Sequence, residues 1–299
     1  MTLTAEIDDA RPIAARIAAV LGPGPVTVLT GAGISTDSGI PDYRGPDSPP
    51  RTPMTYQQFV GDVAFRRHYW ARNHVGWRHM SGVRPNPGHH ALATLEEAGV
   101  VAGVITQNVD TLHEVAGSRR VIDLHGRFDR VICLSCRRVI SRDRLAARLA
   151  ALNPTFAAEV ADVEIAPDAD AVVASTEHFQ VADCEWCGGM LKPDIVYFGE
   201  NVPKDRVQEA YDLVDEGSAL LVAGSSLSVL SGLRFVRHAA RSGRPVVILN
   251  RGDTRGDEFA TLKVDAGCSP VLQALAGSHT RPRSPGGEGG VLGVGEDLR

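Results

Sequence analysis

The stretch VTVLTGAGISTDSGIPDYR at residues 26–44 decides the fold. It begins with an apolar, β-prone run at residues 26–30 that follows a GPGP turn sequence. Such a run between turn residues predicts a buried parallel strand. Gly31, Ala32 and Gly33 come next, and glycines here allow a tight turn and a close approach of a pyrophosphate to the backbone. The stretch therefore predicts the phosphate-binding turn of a nucleotide-binding α/β domain.

The polar residues after the glycines extend this prediction. Residues 35–38 have helix N-cap chemistry, and a helix N-terminus attracts anions. The dinucleotide fingerprint is incomplete, because Thr36 stands where a third glycine would be. No acidic residue ends a second strand about twenty residues later, as it would in an ordinary Rossmann unit. On the glycines alone, a purely structural turn between a strand and a helix is an open alternative.

Composition and charge limit the classes of protein to consider. The 299 residues suffice for one large α/β domain with a smaller inserted module. Hydrophobic residues make up 43% of the chain, and the formal net charge of −5 argues against unaided binding to nucleic acid. The N-terminus lacks the pattern of a secretory signal, and no apolar run approaches the roughly 18 residues of a membrane span. We therefore expect a cytoplasmic protein without a membrane-spanning segment.

Four of the five cysteines form two Cys-x-x-Cys pairs. This spacing lets both thiolates of a pair reach one ion from a tight turn, and four sulfurs complete a closed tetrahedral site. A redox site would need only one pair, and a chain without an export signal favours metal over disulfides. We therefore predict one structural zinc ion that takes no part in the chemistry, bound by Cys133, Cys136, Cys184 and Cys187.

Polar side chains follow several predicted strands, at the edge where open α/β sheets bind ligands. The strand at residues 100–106 leads into Gln107, Asn108 and Asp110. Turn formation or helix capping is the alternative role for Asn108 and Asp110. His125 ends the next strand beside a glycine, which distinguishes it from the other histidines of the chain. These residues are candidates for a ligand site.

Three later strand ends add further candidates. The strand at residues 218–223 ends in GSSLSV at residues 224–229, whose glycine and hydroxyl groups suit phosphate or ribose oxygens. The strand at residues 245–249 ends on Asn250, where a polar residue can hold an adenosine ribose. A last strand at residues 262–265 is followed by Cys268, for which a buried thiol is the alternative.

The rest of the chain is predicted to be helical or irregular. Helices are expected at residues 5–21, 55–80, 89–98, 138–152, 204–216 and 231–241. A polar loop is expected at residues 47–53, and a long loop, functional or disordered, at residues 153–180. The main sheet is expected to resume at residues 191–200, and the Gly/Pro/Ser-rich tail at residues 277–299 is predicted to be disordered.

Longer strings in these stretches resemble the sirtuins, the NAD-dependent protein-lysine deacylases. GAGISTDSGIPDYRG, which begins at Gly31, is similar to the NAD-binding signature of that family, and TQNVDTLH at residues 106–113 is similar to a second motif. LHG at residues 124–126 and LKPDIVYFGE at residues 191–200 match two more. PDYRG, HYWARN, PNPGH, AGSRR and the long insert between the cysteine pairs are most similar to class II, which includes the mitochondrial sirtuin-four branch.

The resemblance implies an α/β fold, with a Rossmann-like parallel-sheet domain and a smaller inserted helical and zinc-binding module. We expect the Rossmann-like domain to comprise residues 1–50, 88–130 and 191–276. The helical insert is expected at residues 51–87 and the zinc module, with a long class-specific loop, at residues 131–190.

The resemblance also implies an activity, namely transfer of the acyl group from an acyl-lysine protein substrate to ADP-ribose, with NAD consumed and nicotinamide released. His125 would act as general base, and Asn108 and Asp110 would position the nicotinamide ribose and carboxamide. The residues expected to contact NAD are Gly31, Ala32, Gly33, Ser35, Ile40, Asp42, Tyr43, Arg44, Gln107, Asn108, Asp110, Gly224, Ser225, Ser226, Asn250, Arg251, Gly252 and Cys268.

Three alternative functions stay open at this point. Protein mono-ADP-ribosyl transfer is a second reaction within the same family. A non-catalytic NAD or ADP-ribose sensor would use the zinc module to bind a partner, although the candidate base His125 counts against it. A zinc-containing dehydrogenase would need an open metal site and an acid at the second strand end, and the sequence offers neither.

Tyr69 and Arg72 suggest a hypothesis about the acyl group. They are one helical turn apart and share a predicted helix face. A Tyr-x-x-Arg pair in this region of class III sirtuins recognises acidic acyl groups, and a guanidinium can bind a carboxylate in a bidentate way. The pair therefore predicts a preference for dicarboxyl-lysine, and an arginine that packs beside Trp70 is the alternative.

Overall fold

The computed structural model describes residues 3–42, 53–156 and 175–279. Tyr43, Arg44, most of the predicted loops at residues 47–53 and 153–180, and the tail beyond His279 lie outside these residues. Within the described parts of the chain, no helix is both long enough and apolar enough to cross a bilayer.

Strands and helices alternate along much of the chain. The strands are β1 (Val26–Thr30), β2 (Val101–Thr106), β3 (Val121–Asp123), β4 (Gly126–Cys133), β5 (Val139–Ser141), β6 (Leu191–Ile195), β7 (Ala219–Ala223), β8 (Val246–Leu249) and β9 (Leu262–Val264). The helices are α1 (Leu3–Leu21), α2 (Tyr56–Gly61), α3 (Val63–Met80), α4 (Pro87–Glu97), α5 (Leu112–Ala116), α6 (Arg142–Leu152), α7 (Lys204–Glu216), α8 (Leu230–Arg241) and α9 (Cys268–Gly277).

Six parallel strands form the main sheet, in the order β3-β2-β1-β7-β8-β9. All six correspond to strands predicted from apolar runs between turn residues. Every residue of β1, β7 and β8 is buried, as expected for a parallel sheet with helices on both faces. β1 lies between β2 and β7, so the strand order reverses there, and such a reversal opens a crevice at the carboxyl ends of the strands.

Alternate side chains of these strands pack into two separate cores. Val28 and Val247 belong to a core with apolar residues of α1, α4 and α9. Leu29 and Ile248 point the other way, into a core with α7 and α8. We call the six strands with these helices and α5 the main-sheet region.

A second, smaller unit carries the four paired cysteines. β5, β4 and β6 form a three-stranded antiparallel sheet in that order, and α2, α3 and α6 share one hydrophobic core with it. We call this unit the small region. It also buries the charged side chain of Arg142, whose Cζ lies 5.5 Å from the ring centroid of Trp70 and 5.2 Å from that of Trp77. The Arg142 Nε and Nη2 atoms donate to Asn73 Oδ1 at 3.0 and 2.9 Å. β6 pairs with β4 here, so the expectation that the main sheet resumes at residue 191 is wrong.

Two predicted helices need correction. The helix expected at residues 55–80 is divided into α2 and α3, because Asp62 has extended backbone and its side chain caps α3, accepting from Ala64 N at 2.6 Å. The helix expected at residues 138–152 begins only at Arg142, since the preceding three residues pair with β4 as β5. Ser141 caps that helix by accepting from Arg144 N at 3.2 Å.

The N-cap chemistry expected at residues 35–38 does not start an α-helix. The chain forms two short 3₁₀ turns instead, Ala32–Ile34 and Thr36–Ser38. Gly39 then takes a left-handed conformation, with φ of 84°, and ends the second turn. The remaining predicted helices are confirmed to within a few residues of their ends.

Candidate active site and metal centre

A cavity of about 1270 Å³ opens at the carboxyl ends of the main-sheet strands. This exceeds the roughly 300–1,000 Å³ that is usual for a small-molecule pocket. The turns after β1, β2, β7, β8 and β9 all contribute to its wall, together with His125. Of the predicted NAD contacts, all that the structure describes line it, namely Gly31, Ala32, Gly33, Ser35, Ile40, Asp42, Gln107, Asn108, Asp110, Gly224, Ser225, Ser226, Asn250, Arg251, Gly252 and Cys268.

The turns after β1 and β7 pack directly against each other. Gly33 N donates to Gly224 O at 2.8 Å. A Cβ atom at Gly31 would lie 2.8 Å from Ser225 Cβ, and one at Gly33 would lie 2.9 Å from Gly224 O. Gly224 itself has φ of +67°, and a Cβ there would collide with the Ile34 amide nitrogen. The glycines are therefore required by contact between two protein turns, independently of any ligand.

Asn108, Ser35 and Asp110 form one hydrogen-bonded group. Asn108 Nδ2 donates to Gly31 O at 3.1 Å and to Ser35 Oγ at 3.0 Å. Ser35 Oγ in turn donates to Asp110 Oδ2 at 2.6 Å, and Leu112 N donates to Asp110 Oδ1 at 3.0 Å. Burial raises the pKa of Asp110, while the bonds from Ser35 and Leu112 act in the opposite direction. Because a carbonyl can only accept, the Asn108 nitrogen must face Gly31, and its amide oxygen is the atom that can accept from a ligand.

Two buried histidines lie behind this group. The rings of His89 and His113 meet edge to face, with centroids 4.9 Å apart. His89 Nδ1 accepts from Asn86 N at 3.3 Å, so Nε2 carries the proton of the neutral ring and points toward Ser35 Oγ, 3.5 Å away. Burial lowers the pKa of His89 to about 4, and the nearby His90 acts in the same direction. His89 is therefore an uncharged ring at neutral pH, with its Nε2–H directed toward Ser35.

His125 is held through both of its ring nitrogens. Nδ1 lies 2.9 Å from Gln107 O, and Nε2 lies 2.7 Å from Ser231 Oγ. The carbonyl oxygen can only accept, so Nδ1 carries the proton of the neutral ring and Nε2 has the lone pair. Burial lowers the pKa of His125 to about 4; the bond to Gln107 opposes this, and the charges of Arg206 and Arg234 reinforce it. His125 is therefore neutral at pH 7, with one defined nitrogen able to accept a proton.

The residues next to His125 and Asp110 explain how the backbone presents them. Gly126 has φ of +83°, and a Cβ there would collide with the Asp194 carbonyl oxygen as β4 pairs with β6. Val196 N donates to His125 O at 2.7 Å, which fixes the histidine backbone against the same segment. Thr111 and Leu227 adopt left-handed conformations, with φ of 62° and 54°, just after the turns that carry Asp110 and Ser226. Such strained positions cluster at ligand sites.

Gln107 joins His125 to the β7 turn. Its backbone oxygen accepts from His125, and its side-chain Oε1 accepts from Ser225 Oγ at 2.6 Å. Ser225 Oγ also accepts from Leu227 N at 3.2 Å. Gln107, which was predicted to contact NAD, therefore bonds both to His125 and to the turn after β7.

Sequence reasoning missed Ser231 and Arg234, which line the cavity from α8. A serine at a helix start is usually explained as a cap, and the sequence carries no signal that this one contacts a histidine. Tyr69 and Arg72, by contrast, are not among the described residues of the cavity wall. Tyr69 is buried in an aromatic cluster that includes Phe59, and Arg72 Nη1 lies 3.1 Å from a ring nitrogen of His68.

The four predicted metal ligands converge. Their sulfur atoms all lie within 4.8 Å of one another, with Cys133 and Cys187 at 3.5 Å and Cys136 and Cys184 at 3.7 Å. Tetrahedral zinc with Zn–S bonds of about 2.3 Å requires sulfurs about 3.8 Å apart. The spacing therefore fits one zinc ion with four protein ligands and no open position.

The two cysteine turns have the same backbone design. Arg137 N donates to Cys133 O at 3.0 Å, and Gly188 N donates to Cys184 O at 2.9 Å. The residue after each second cysteine is left-handed, with φ of 62° at Arg137 and 66° at Gly188. The sulfurs of both turns therefore converge on one centre. The left-handed position is a glycine only in the second turn, at Gly188, although this conformation favours glycine in both.

Comparison with known proteins places this chain among NAD-dependent enzymes. The model of the Sir2 family matches residues 31–231. The chain is 65% identical over 263 residues to an NAD-dependent protein deacetylase 1 of Mycobacterium avium (strain 104), covering 87% of this chain and 93% of that protein. It is 51% identical over 264 residues to an NAD-dependent protein deacetylase 1 of Streptomyces coelicolor, covering 88% of each. A solved structure of Sir2 with a p53 peptide and NAD+ superimposes with a TM-score of 0.65 at 33% identity, covering 88% of this chain and 97% of that one.

Proposed function

Because the chain belongs to the Sir2 family, we propose that it is an NAD-dependent protein deacylase, which transfers the acyl group of an acyl-lysine side chain to ADP-ribose and releases nicotinamide. One observation supports this above all others. A neutral histidine with a defined acceptor nitrogen, an Asn–Ser–Asp group and two interlocked glycine turns face a single cavity. A zinc-containing dehydrogenase would need an open metal position, whereas the four sulfurs here converge on one closed centre.

Different residues hold different parts of NAD in the first half of the proposed reaction. The acyl carbonyl oxygen displaces nicotinamide from C1′ of the nicotinamide ribose, and the site must hold both partners in line. Asn108 and Asp110 orient the ribose and the carboxamide, with Ile40 and Asp42 beside them on the cavity wall. The turns that contain Gly33 and Ser225 hold the phosphates, and Asn250 holds the adenosine ribose.

His125 acts in the second half of the reaction. Its Nε2 lone pair takes a proton from a ribose hydroxyl, so that the ribose oxygen can attack the acyl carbon. Gln107 keeps the ring in the required tautomer, because its carbonyl holds the Nδ1 proton. The zinc centre stabilises the small region and contributes nothing to the chemistry, since four sulfurs fill its coordination sphere.

We propose three finer assignments on the same basis. The class II type rests on PNPGH, HYWARN and the insert between the cysteine pairs. The domain division, with a helical insert at residues 51–87 and a zinc module at residues 131–190, is supported by the core that α2 and α3 share with β4 and β6. Acyl-lysine proteins are the proposed partners, and cytoplasmic location without nucleic-acid binding stays a prediction from composition.

The test is a panel of acyl-lysine peptides incubated with NAD, with nicotinamide release measured for each peptide and for its unacylated control. We expect release only with acylated peptides, and mass spectrometry should find O-acyl-ADP-ribose. ADP-ribosylated protein as the main product would favour the mono-ADP-ribosyltransferase alternative. Formation of NADH, seen as absorbance, would favour the dehydrogenase alternative. NAD binding without turnover of any peptide would favour the non-catalytic sensor alternative.

A further inference from the structure

Ser231 contacts the nitrogen of His125 that must accept the proton. Its Oγ lies 2.7 Å from Nε2, close to the best distance for an O–H···N bond. Since Nδ1 holds the ring proton, the serine hydroxyl is the donor in this bond. The lone pair on which the proposed reaction depends is therefore occupied by a protein hydroxyl.

The fold keeps this hydroxyl in place. Ser231 is in the first turn of α8 and is buried, and Val229, the residue before that helix, provides no side-chain cap. Gly232 packs so closely on Gln107 that a Cβ would lie 2.7 Å from the glutamine Nε2. Gln107 and the start of α8 thus hold the two ring nitrogens of His125 from two elements that also contact each other.

A hydroxyl can serve both protonation states of the ring. It donates to Nε2 when the imidazole is neutral, and after rotation its oxygen can accept from Nε2–H when the ring is charged. The second bond is charge-assisted and therefore the stronger of the two. No backbone amide and no arginine could make both, because each of them can only donate.

We propose that Ser231 is a positioning residue with two successive roles. Its hydroxyl first donates a hydrogen bond to Nε2 of neutral His125 and later accepts one from Nε2–H of the imidazolium, which stabilises that charge. This rests on the proposed function of His125 as base. The ribose hydroxyl replaces Ser231 at Nε2, its O–H bond breaks, the N–H bond forms, and the electron pair stays on the ribose oxygen for attack on the acyl carbon. The new Nε2–H group then donates to Ser231 Oγ, which keeps the proton from returning to the ribose.

The first test observes the contact without catalysis. The protein labelled with ¹⁵N-histidine is compared by NMR at pH 7.5 as wild type, Ser231→Ala, Ser231→Thr and Ser242→Ala. Ser242 is an exposed residue at the other end of α8 and serves as the matched control. We expect the His125 Nε2 resonance to move toward the position of a free lone pair in Ser231→Ala only. An unchanged resonance in Ser231→Ala would overturn the proposal.

The second test separates the two halves of the reaction. Exchange of labelled nicotinamide into NAD needs only the first half, and formation of O-acyl-ADP-ribose needs His125. We expect Ser231→Ala to slow acyl transfer about tenfold, below the range of a general base itself, and to leave exchange and NAD affinity within about twofold. Ser231→Thr, which keeps the hydroxyl, should restore acyl transfer.

The outcomes also distinguish this proposal from the proposed function. Full acyl transfer by His125→Ala would remove His125 as the base, whatever Ser231 does. An inactive His125→Ala beside a fully active Ser231→Ala would leave the base in place and overturn the role of Ser231. Equal slowing of exchange and transfer in Ser231→Ala would also overturn it, because that result indicates a general disturbance of the cavity.

Discussion

The main-sheet region and the small region are stabilised in different ways. The strands of the main sheet are almost continuously apolar, and many of the buried polar groups of that region, such as Thr30, Ser35 and Asp110, lie at or just behind the cavity. The small region buries Arg142 and Lys192 and depends on four convergent sulfurs. Both regions have an apolar core, and the small region adds two buried cations and the cysteine centre to it. We therefore expect substitutions at the cysteine centre to change mainly stability and substitutions at the cavity to change mainly catalysis.

The largest expected effect is the loss of zinc. Cys133→Ser should abolish zinc binding and unfold or aggregate the protein, because structural zinc contributes apparent free energies of about 10–16 kcal/mol in small zinc peptides. Zinc content by elemental analysis and the melting temperature check this. Cys268→Ser, a change in the main-sheet region, is the control for zinc content and should keep the ion. A metal-free Cys133→Ser protein with an unchanged melting temperature would refute the dependence.

A substitution in the main-sheet region should have the opposite profile. His125→Ala should lower deacylation by about 10²–10⁴-fold, the usual contribution of a positioned base. NAD affinity should stay within a few-fold and the melting temperature should hardly change, because the His125 side chain lies in the cavity wall and not in an apolar core. Kinetics with an acyl-lysine peptide and a thermal melt measure the two quantities. Full activity would end the assignment of His125 as base.

A buried histidine in the small region should make stability depend on pH. His74 packs against Phe179, and neither ring nitrogen has a hydrogen-bond partner among the described atoms. Burial lowers the pKa of His74 to about 4, and the charges of Arg142 and Arg78 act in the same direction. The unfolded chain, with a His pKa near 6.5, binds the proton more readily, so acidification from pH 6.5 to 4 favours unfolding.

His74→Leu removes this group while keeping an apolar contact for Phe179. We expect stability at pH 7.5 to be unchanged or higher by about 1 kcal/mol, because two unsatisfied buried nitrogens are lost. The decline between pH 6.5 and 4 should become shallower. Chemical denaturation across that range measures both effects, with His79→Gln, at an exposed position on the same helix α3, as the control. An identical pH dependence in His74→Leu and wild type would contradict the prediction.

The smallest effect should come from the difference between the two cysteine turns. Arg137→Gly relieves a left-handed conformation at a non-glycine residue and should stabilise the protein by about 0.5–1 kcal/mol with zinc retained. Gly188→Ala places a Cβ at the equivalent position of the other turn and should destabilise it by a similar amount. Thermal melts of the two variants test both expectations. Changes of the two melting temperatures in the same direction would contradict them.

The sequence predicted the parts of the molecule that rest on local pattern. Apolar runs such as Val26–Thr30 between turn residues identified the six main strands, and the paired cysteine spacing identified the metal ligands. The break at Asp62 follows a glycine, but the sequence on both sides of it has helical periodicity, so the break was not predicted. β5 is only three residues long, and pairing with β4 decides its conformation more than its own sequence does.

The sequence predicted which strand ends contribute residues to the site. It did not predict the hydrogen bonds that connect those residues. Gln107 and Ser231 bond to the same imidazole, yet one follows β2 and the other begins α8, and no sequence periodicity relates them. The tautomer of His125 follows only from the two atoms that face its ring. The Tyr69–Arg72 hypothesis had the correct helix spacing, but Tyr69 faces the aromatic core, a matter of helix rotation that the sequence leaves free.

The docking of β1 against β7 also has a kinetic consequence. Thr27 Oγ1 donates to Leu213 O across 186 residues of chain, and the interlocked glycine turns lie at the end of the same strand pair. Closing so long a loop is costly in chain entropy before the contact repays it, and folds dominated by such contacts form slowly. We therefore expect the two glycine turns to acquire their shape late in folding, after the local helices. Recovery of NAD affinity during refolding should lag behind recovery of helical circular dichroism, which makes the cofactor a reporter of the last step.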